Sequence, residues 1–266
     1  MHLKTYSKGV FLHIVSLDKK NWRAQVKFID SLPGIKHVGI WMEKKLSCPE
    51  VDFLKNLLKK YEIIIHGPFI HLSLVSPHKE IRKLTICKYL RTLKVAEILG
   101  AKLVTFHTGT KVRFLSEKSA IKKLMRNLRK FRSCHKGKVA FTIENLPPQS
   151  SSDVRNYFPD SLKDLTLLKK LLPWIKFSVD IGHAFQSGEN FNKISRFIRR
   201  YKKSILDIHL HDATLRGAAH LALGKGELDV EAFFKLLKDI KYAGYVSLEN
   251  GTRKDIYSSW KKISKY

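Results

Sequence analysis

The sequence predicts an α/β protein folded as one closed (β/α)8 barrel, a TIM barrel, and three observations carry that prediction. Short apolar, β-branched runs recur eight times along the 266 residues, and each is followed by a stretch with apolar residues three and four apart. The total length also fits the roughly 250 residues typical of such a barrel. The strands are read at Gly9 to Val15, Lys36 to Trp41, Glu62 to His66, Lys102 to His107, Lys138 to Glu144, Lys176 to Asp180, Ile205 to His211 and Tyr245 to Glu249. The stretches between them, such as Pro77 to Gly100 and Ser116 to Cys134, are long enough for the crossover helix that joins parallel neighbours.

The first run, GVFLHIVSL, reads as a strand and not as a cleaved leader. His13 interrupts its apolar stretch, and Ser16-Leu17-Asp18-Lys19 offers no small-residue cleavage site. Ile121 to Arg132 interleaves Lys122, Lys123, Arg126, Arg129 and Lys130 with Ile121, Leu124, Met125, Leu128 and Phe131 at helical spacing, which describes an amphipathic outer helix. Phe197 to Lys203, around Arg199 and Arg200, reads the same way. Trp41 and Trp174 adjoin strands and are read as packing residues. The cluster Pro147-Pro148-Gln149-Ser150-Ser151-Ser152 follows the fifth strand, where a barrel places its functional loops. No Gly/Ser/Pro-rich linker divides the chain, so residues 1–266 are read as one domain. The competing architecture is a doubly wound open sheet. No GxGxxG follows the first strand and no GxxxxGK[ST] occurs, so that fold and a nucleotide cofactor are both disfavoured.

Composition bounds the partners. Fifty-one Lys and Arg against twenty-three Asp and Glu leave a net charge of +28, and the pI is about 10.0. A partner reached by long-range attraction is therefore anionic: nucleic acid, a phosphorylated substrate or an acidic lipid surface. No apolar run approaches the roughly 18 residues of a membrane-crossing helix, and no membrane partner is expected. Cys48, Cys87 and Cys134 are odd in number, widely spaced and without a CxxC. That pattern argues against a disulfide scaffold or a cysteine zinc module and for a reducing, cytoplasmic setting.

A parallel barrel places its chemistry at the carboxyl ends of its strands, and here those ends are polar. The third closes on His66, the fourth on His107, the fifth on Glu144, and the sixth on Asp180 with His183 just beyond. The seventh ends ILDIHLHD with His209, His211 and Asp212, the loop after it carries His220, and the eighth ends on Glu249. Imidazoles and carboxylates crowded at one mouth are costly unless a cation neutralises them. A divalent metal is the simplest cause, and nitrogen and carboxylate donors without a thiolate suit Zn²⁺ or Mn²⁺. His2, His37, His71, His78 and His135 are read as surface or core groups.

The ordered series HGPF, FHTG, IEN, VDIGHA, HLHD, HxxLGKG and LEN resembles the xylose isomerase-like TIM barrels, and within them the endonuclease IV branch. The likeness spans Ile63 to Glu249. Endonuclease IV enzymes hold three zinc ions and cut DNA on the 5′ side of abasic sites. The resemblance implies that His66, His107 and Glu144 hold one metal, and that Asp180, His209, Glu249 and the bridging Glu144 hold a second. It implies His183 and His220 for a third. Two departures stand out. The family's loop reads Asp-Arg-His, whereas this sequence reads Ala218-Ala219-His220, so the third metal loses a ligand that Asp212 or a water would have to replace, unless two metals suffice. The opening strand also lacks the family's His-Val-Ser and Gly-Gly signature.

The sugar isomerase and epimerase branches are similar through four residues, Glu144, Asp180, His209 and Glu249. In those enzymes the four hold one divalent ion and the two glutamates carry a proton beside a substrate carbonyl. Arg216 and the Gly224-Lys225-Gly226 turn fall where such enzymes contact substrate. The additional histidines favour a multinuclear hydrolase acting on DNA with abasic sites, with isomerisation of a sugar or sugar phosphate as the alternative and a non-catalytic binder with a degenerate site as the third reading. In the hydrolase reading, Glu144 bridges two ions that together lower the pKa of water to about 7 and stabilise attacking and leaving oxygens. His211 or Lys225 would then donate to the phosphate, and Phe69 would stack on or wedge into a distorted duplex.

Overall fold

The structure is a computed structural model that describes residues 6–12, 19–112, 116–148 and 155–266. Its strands are β1 (Ser7–Leu12), β2 (His37–Trp41), β3 (Glu62–His66), β4 (Leu103–Phe106), β5 (Thr110–Val112), β6 (Ala140–Glu144), β7 (Arg155–Tyr157), β8 (Phe177–Asp180), β9 (Ile205–Leu210) and β10 (Tyr245–Leu248). Eight of them close into a parallel barrel in the order β1-β2-β3-β4-β6-β8-β9-β10, and β10 pairs back onto β1 with Val10 beside Leu248. Each apolar run read from the sequence forms one barrel strand. The predicted residues 13–15 of the first run, and 149–152 of the Pro/Ser cluster, lie outside the described residues, as does His2.

The helices are α1 (Lys19–Asp30), α2 (Cys48–Leu57), α3 (Lys79–Leu99), α4 (Glu117–Cys134), α5 (Leu162–Leu171), α6 (Ile181–Gln186), α7 (Phe191–Tyr201), α8 (Val230–Asp239) and α9 (Arg253–Ile263). Helix α4 buries Leu124, Leu128 and Phe131 and leaves its basic face to solvent, as its spacing predicts. Leu, Ile, Val and Phe side chains from strands and helices form one continuous shell between the two layers. No helix among the described residues is long and apolar enough to cross a membrane. The three cysteines are exposed and unpaired with one another.

Inside the barrel the strand alternation brings polar groups together. Thr105 of β4, Thr142 of β6 and Ser178 of β8 bond one another at 2.7 to 3.2 Å. His37, Asp207 and Ser247 share a second polar layer with no exposure. Two residues beyond Thr105, Thr142, Ser178, Asp207 and Ser247, the same parity reaches the mouth at His107, Glu144, Asp180, His209 and Glu249. Two features at that mouth lie beyond the predicted elements. β5 and β7 pair antiparallel across the loops after β4 and β6, and the six-residue α6 starts on β8's last residue, Asp180, whose carboxylate accepts the His183 N–H at 2.6 Å.

Candidate metal centre

Six imidazoles and three carboxylates meet at the carboxyl ends of the strands in three adjoining groups, each with ligand atoms within 4.8 Å of one another. His66, His107 and Glu144 make the first. His66 Nε2 lies 3.0 Å from His107 Nε2, and Glu144 Oε2 lies 3.5 and 3.3 Å from the same two nitrogens. The second contains Glu144, Asp180, His209 and Glu249. There His209 Nδ1 faces Glu144 Oε1 and Glu249 Oε2, each at 3.0 Å. Glu144 therefore directs one oxygen to each group.

His183, His211 and His220 make the third. The rings of His211 and His220 stack with centroids 4.1 Å apart, and His211 Nε2 lies 3.1 Å from both oxygens of Asp180. A Cβ at residue 182 would fall 1.8 Å from the His211 ring, so Gly182 is required by that ring's position. His220 holds a left-handed backbone, φ 55°, the kind of local strain that a functional loop stores.

The donor chemistry fits divalent cations. The Nδ1 atoms of His66, His183 and His220 face the carbonyls of Gly67, Asn145 and Glu249 at 3.0, 3.1 and 2.8 Å. A carbonyl only accepts, so each of these rings keeps its proton on Nδ1 and presents Nε2 as a lone pair. Glu144 Oε2 and Glu249 Oε2 are buried without a hydrogen bond among the described residues. Burial opposes ionisation of Glu144, Asp180 and Glu249, yet the neighbouring imidazoles outweigh it and hold all three carboxyls below their ordinary range. Burial likewise opposes a charged His209, but Glu144 and Glu249 push its pKa well above the usual imidazole value. Without cations, protons shared with these carboxylates take their place.

Two expectations change at this mouth, those for Asp212 and His211. Asp212 is not free to complete a metal site: it is fully buried, and its Oδ1 accepts the amides of Ala213 and Leu228, its Oδ2 those of Gly224 and Lys225, at 2.6 to 3.1 Å. It folds the loop that presents His220. His211, expected as a donor to substrate, is buried beside His183 and His220 instead. Phe69 covers the first group, its ring 4.8 Å from His107 and 5.5 Å from His66, and so packs on imidazoles at the rim. Beyond Phe69 a cavity of about 460 Å³, lined by His71, His107, Thr110 and Tyr157 among others, runs towards the β5–β7 pair. Arg216 and Lys225 remain exposed on the loop after β9. The HLHD spacing carried the signal for His211, because residues two apart on a strand share a face.

A (β/α)8 barrel with a buried histidine and carboxylate mouth defines the class. The chain belongs to the xylose isomerase-like TIM barrel family, whose model matches residues 33–264. An uncharacterized protein of Methanocaldococcus jannaschii is 30% identical over 75% of this chain and 76% of its own length. A probable endonuclease 4 of Aquifex aeolicus is 27% identical over 74% of this chain and 72% of its own. Among solved structures, a D-tagatose 3-epimerase-like protein superposes with a TM-score of 0.82 at 21% identity, covering 98% of this chain and 96% of that one. Endonuclease IV from Thermus thermophilus superposes at 0.68 with 17% identity, covering 96% and 99%. At these identities the two structural likenesses establish the fold alone.

Proposed function

We propose that the chain is a multinuclear metal-dependent phosphodiester hydrolase that acts on DNA at abasic sites. The observation that carries this reading is the contiguity of the three ligand groups through Glu144 and Asp180. A one-cation isomerase uses Glu144, Asp180, His209 and Glu249 and leaves five buried or half-buried imidazoles without a task. The resemblance to probable endonuclease 4 sequences over about three quarters of the chain supports the same choice.

In this reading His66, His107 and Glu144 hold one cation, Glu144, Asp180, His209 and Glu249 a second, and His183, His211 and His220 a third. Bound there, Zn²⁺ or Mn²⁺ supplies Lewis-acid polarisation of a phosphodiester and a lowered pKa for water. The protein's own contribution is orientation. Carbonyls fix the His66, His183 and His220 rings, Glu144 spans two groups, and the Asp212 brace sets the His220 loop. His211 would take the place of the aspartate that the endonuclease IV pattern has at Ala218 by releasing the His220 amide that its Nδ1 accepts at 2.9 Å, while its Nε2 faces Asp180.

The test is incision of a labelled duplex carrying one abasic site by protein loaded with Zn²⁺ or Mn²⁺, with Glu144→Ala as control. Wild-type cleavage that the variant loses supports the hydrolase. A folded, metal-loaded wild type that leaves the duplex intact turns the assignment to epimerisation of a sugar or sugar phosphate, with Glu144 and Glu249 as the proton carriers.

A further inference from the structure

Beneath the candidate metal groups, a file of buried polar side chains runs down the barrel interior, and its hydrogen bonds converge from both sides on the Asp207 carboxylate. Asp207 Oδ2 lies 3.3 Å from His209 Nε2. Both atoms are buried and neither makes a hydrogen bond among the described residues, so this charged contact is the polar interaction that each has. Asp207 Oδ1 accepts the Ser247 hydroxyl at 2.8 Å. A carboxylate has only lone pairs, so Ser247 must donate, and its own lone pair is left facing His37 Nε2 at 2.9 Å. His37 Nε2 therefore carries a proton, and His37 Nδ1, 3.0 Å from the Ser7 hydroxyl, accepts from it.

We infer that Asp207, Ser247 and His37 form a positioning chain that keeps a proton on His209 Nε2, so that Nδ1, which faces Glu144 and Glu249, is the nitrogen that gives up its proton to a cation in the second group. Three further observations agree. Burial pushes His37 down to about 4, which keeps its ring neutral with one proton to donate. The barrel is shaped for that ring: a Cβ at residue 9 would lie 2.4 Å from His37 Cδ2, so Gly9 leaves the space, and Tyr245 packs edge-on at 4.9 Å. The residues also belong to different strands, β9, β10 and β2, with Ser7 on β1, so the arrangement is a product of the closed barrel and not of one local turn. Asp207 is thus a positioning residue that acts through His209, and its carboxylate adds negative charge behind a ligand nitrogen.

The inference rests on the metal reading above, and the experiment separates the two. Zinc affinity is measured by competition with a chelator, and ¹⁵N-histidine spectra of the zinc-loaded protein locate each ring proton. In the wild type, His209 and His37 both carry the proton on Nε2. Asp207→Asn offers an amide N–H to one neighbour: it either draws the His209 proton to Nδ1 or, turned over, reverses Ser247 and moves the His37 proton to Nδ1. In both cases zinc affinity falls about 10- to 100-fold. Ser247→Ala, a small change in a buried site, frees the His37 tautomer and weakens zinc binding severalfold while the fold persists. Wild-type affinity with unmoved protons in either variant overturns the positioning chain alone. A folded wild type that binds no zinc overturns the metal reading and this inference together.

Discussion

A buried carboxylate takes its role from the donors around it, and Asp180 and Asp212 meet different ones. Asp180 faces the His183 and His211 rings, so it belongs with the candidate metal ligands. Asp212 collects four backbone amides, so it belongs to the loop. Replacing Asp212 with Ala leaves those amides without an acceptor, and the expected loss of stability is about 3 kcal/mol in denaturant unfolding. An unchanged unfolding midpoint would show that water replaces the carboxylate at no cost. His211 yields the complementary prediction. His211→Ala should remove one cation per chain, counted by elemental analysis after dialysis, while His211→Asp restores the ligand type that Ala218 lacks and keeps the full count. A full complement in His211→Ala would place the third cation elsewhere. These residues were readable from the sequence to unequal degrees. His66, His107, Glu144, Asp180, His209 and Glu249 each close an apolar run, and strand parity turns them all inward. Asp207 shares that parity two residues before His209, yet a lone acid inside an apolar run gives no sign of its partner. His37 bonds Ser247, 210 residues away, and no local pattern can report such a pairing.

At the scale of elements, the barrel strands were legible because a parallel strand buried on both faces is mostly apolar, and turn chemistry bounds it on both sides. The β5–β7 pair was not, since three-residue strands carry no period. Helix α6 was hidden for a related reason: six residues make less than two turns, and its start depends on the Asp180 cap. The entry to α5 shows what such junctions cost. Asp160 precedes the Ser161 cap, and burial together with the Asp164 carboxylate raises it to about 6. Its folded pKa lies above the unfolded value of about 3.9, so the native state binds the proton more tightly. Stability therefore declines as pH rises from about 4 to 6, and the whole cost is present above that window. Asp160→Asn should gain about 1 kcal/mol at pH 8, discounted because the group is partly exposed, and nothing at pH 4. Equal gains at the two pH values would trace the effect to packing, and no gain at pH 8 would remove Asp164 repulsion as a cause.

At the scale of the whole molecule, the +28 charge divides into a structural part and a free part. Several lysines act locally at the end of the barrel opposite the metal groups. Lys8 donates to the carbonyls of Ile263 and Ser264, Lys176 to that of Lys203 and Lys202 to that of Ile240. These are the unsatisfied carbonyls and the negative dipole ends of α9, α7 and α8. Such lysines offset helix ends and would be needed whatever the substrate. The rest of the excess creates a field that attracts polyanions, and its effect separates the two enzyme readings. A nucleic-acid substrate displaces counterions from each phosphate it brings to a lysine or arginine, so affinity falls along a straight line of log K against log salt. With about six phosphate contacts, affinity for a duplex bearing an abasic site should drop on the order of a thousandfold between about 50 and 200 mM salt. Fluorescence anisotropy with metal-loaded Glu144→Gln, which binds without cleaving, measures that slope directly. A small neutral sugar releases no counterions, so its turnover would be nearly flat across the same range. A steep slope for duplex with flat or absent sugar turnover supports the DNA reading, and a flat line for duplex shows that the free charge is not directed at DNA.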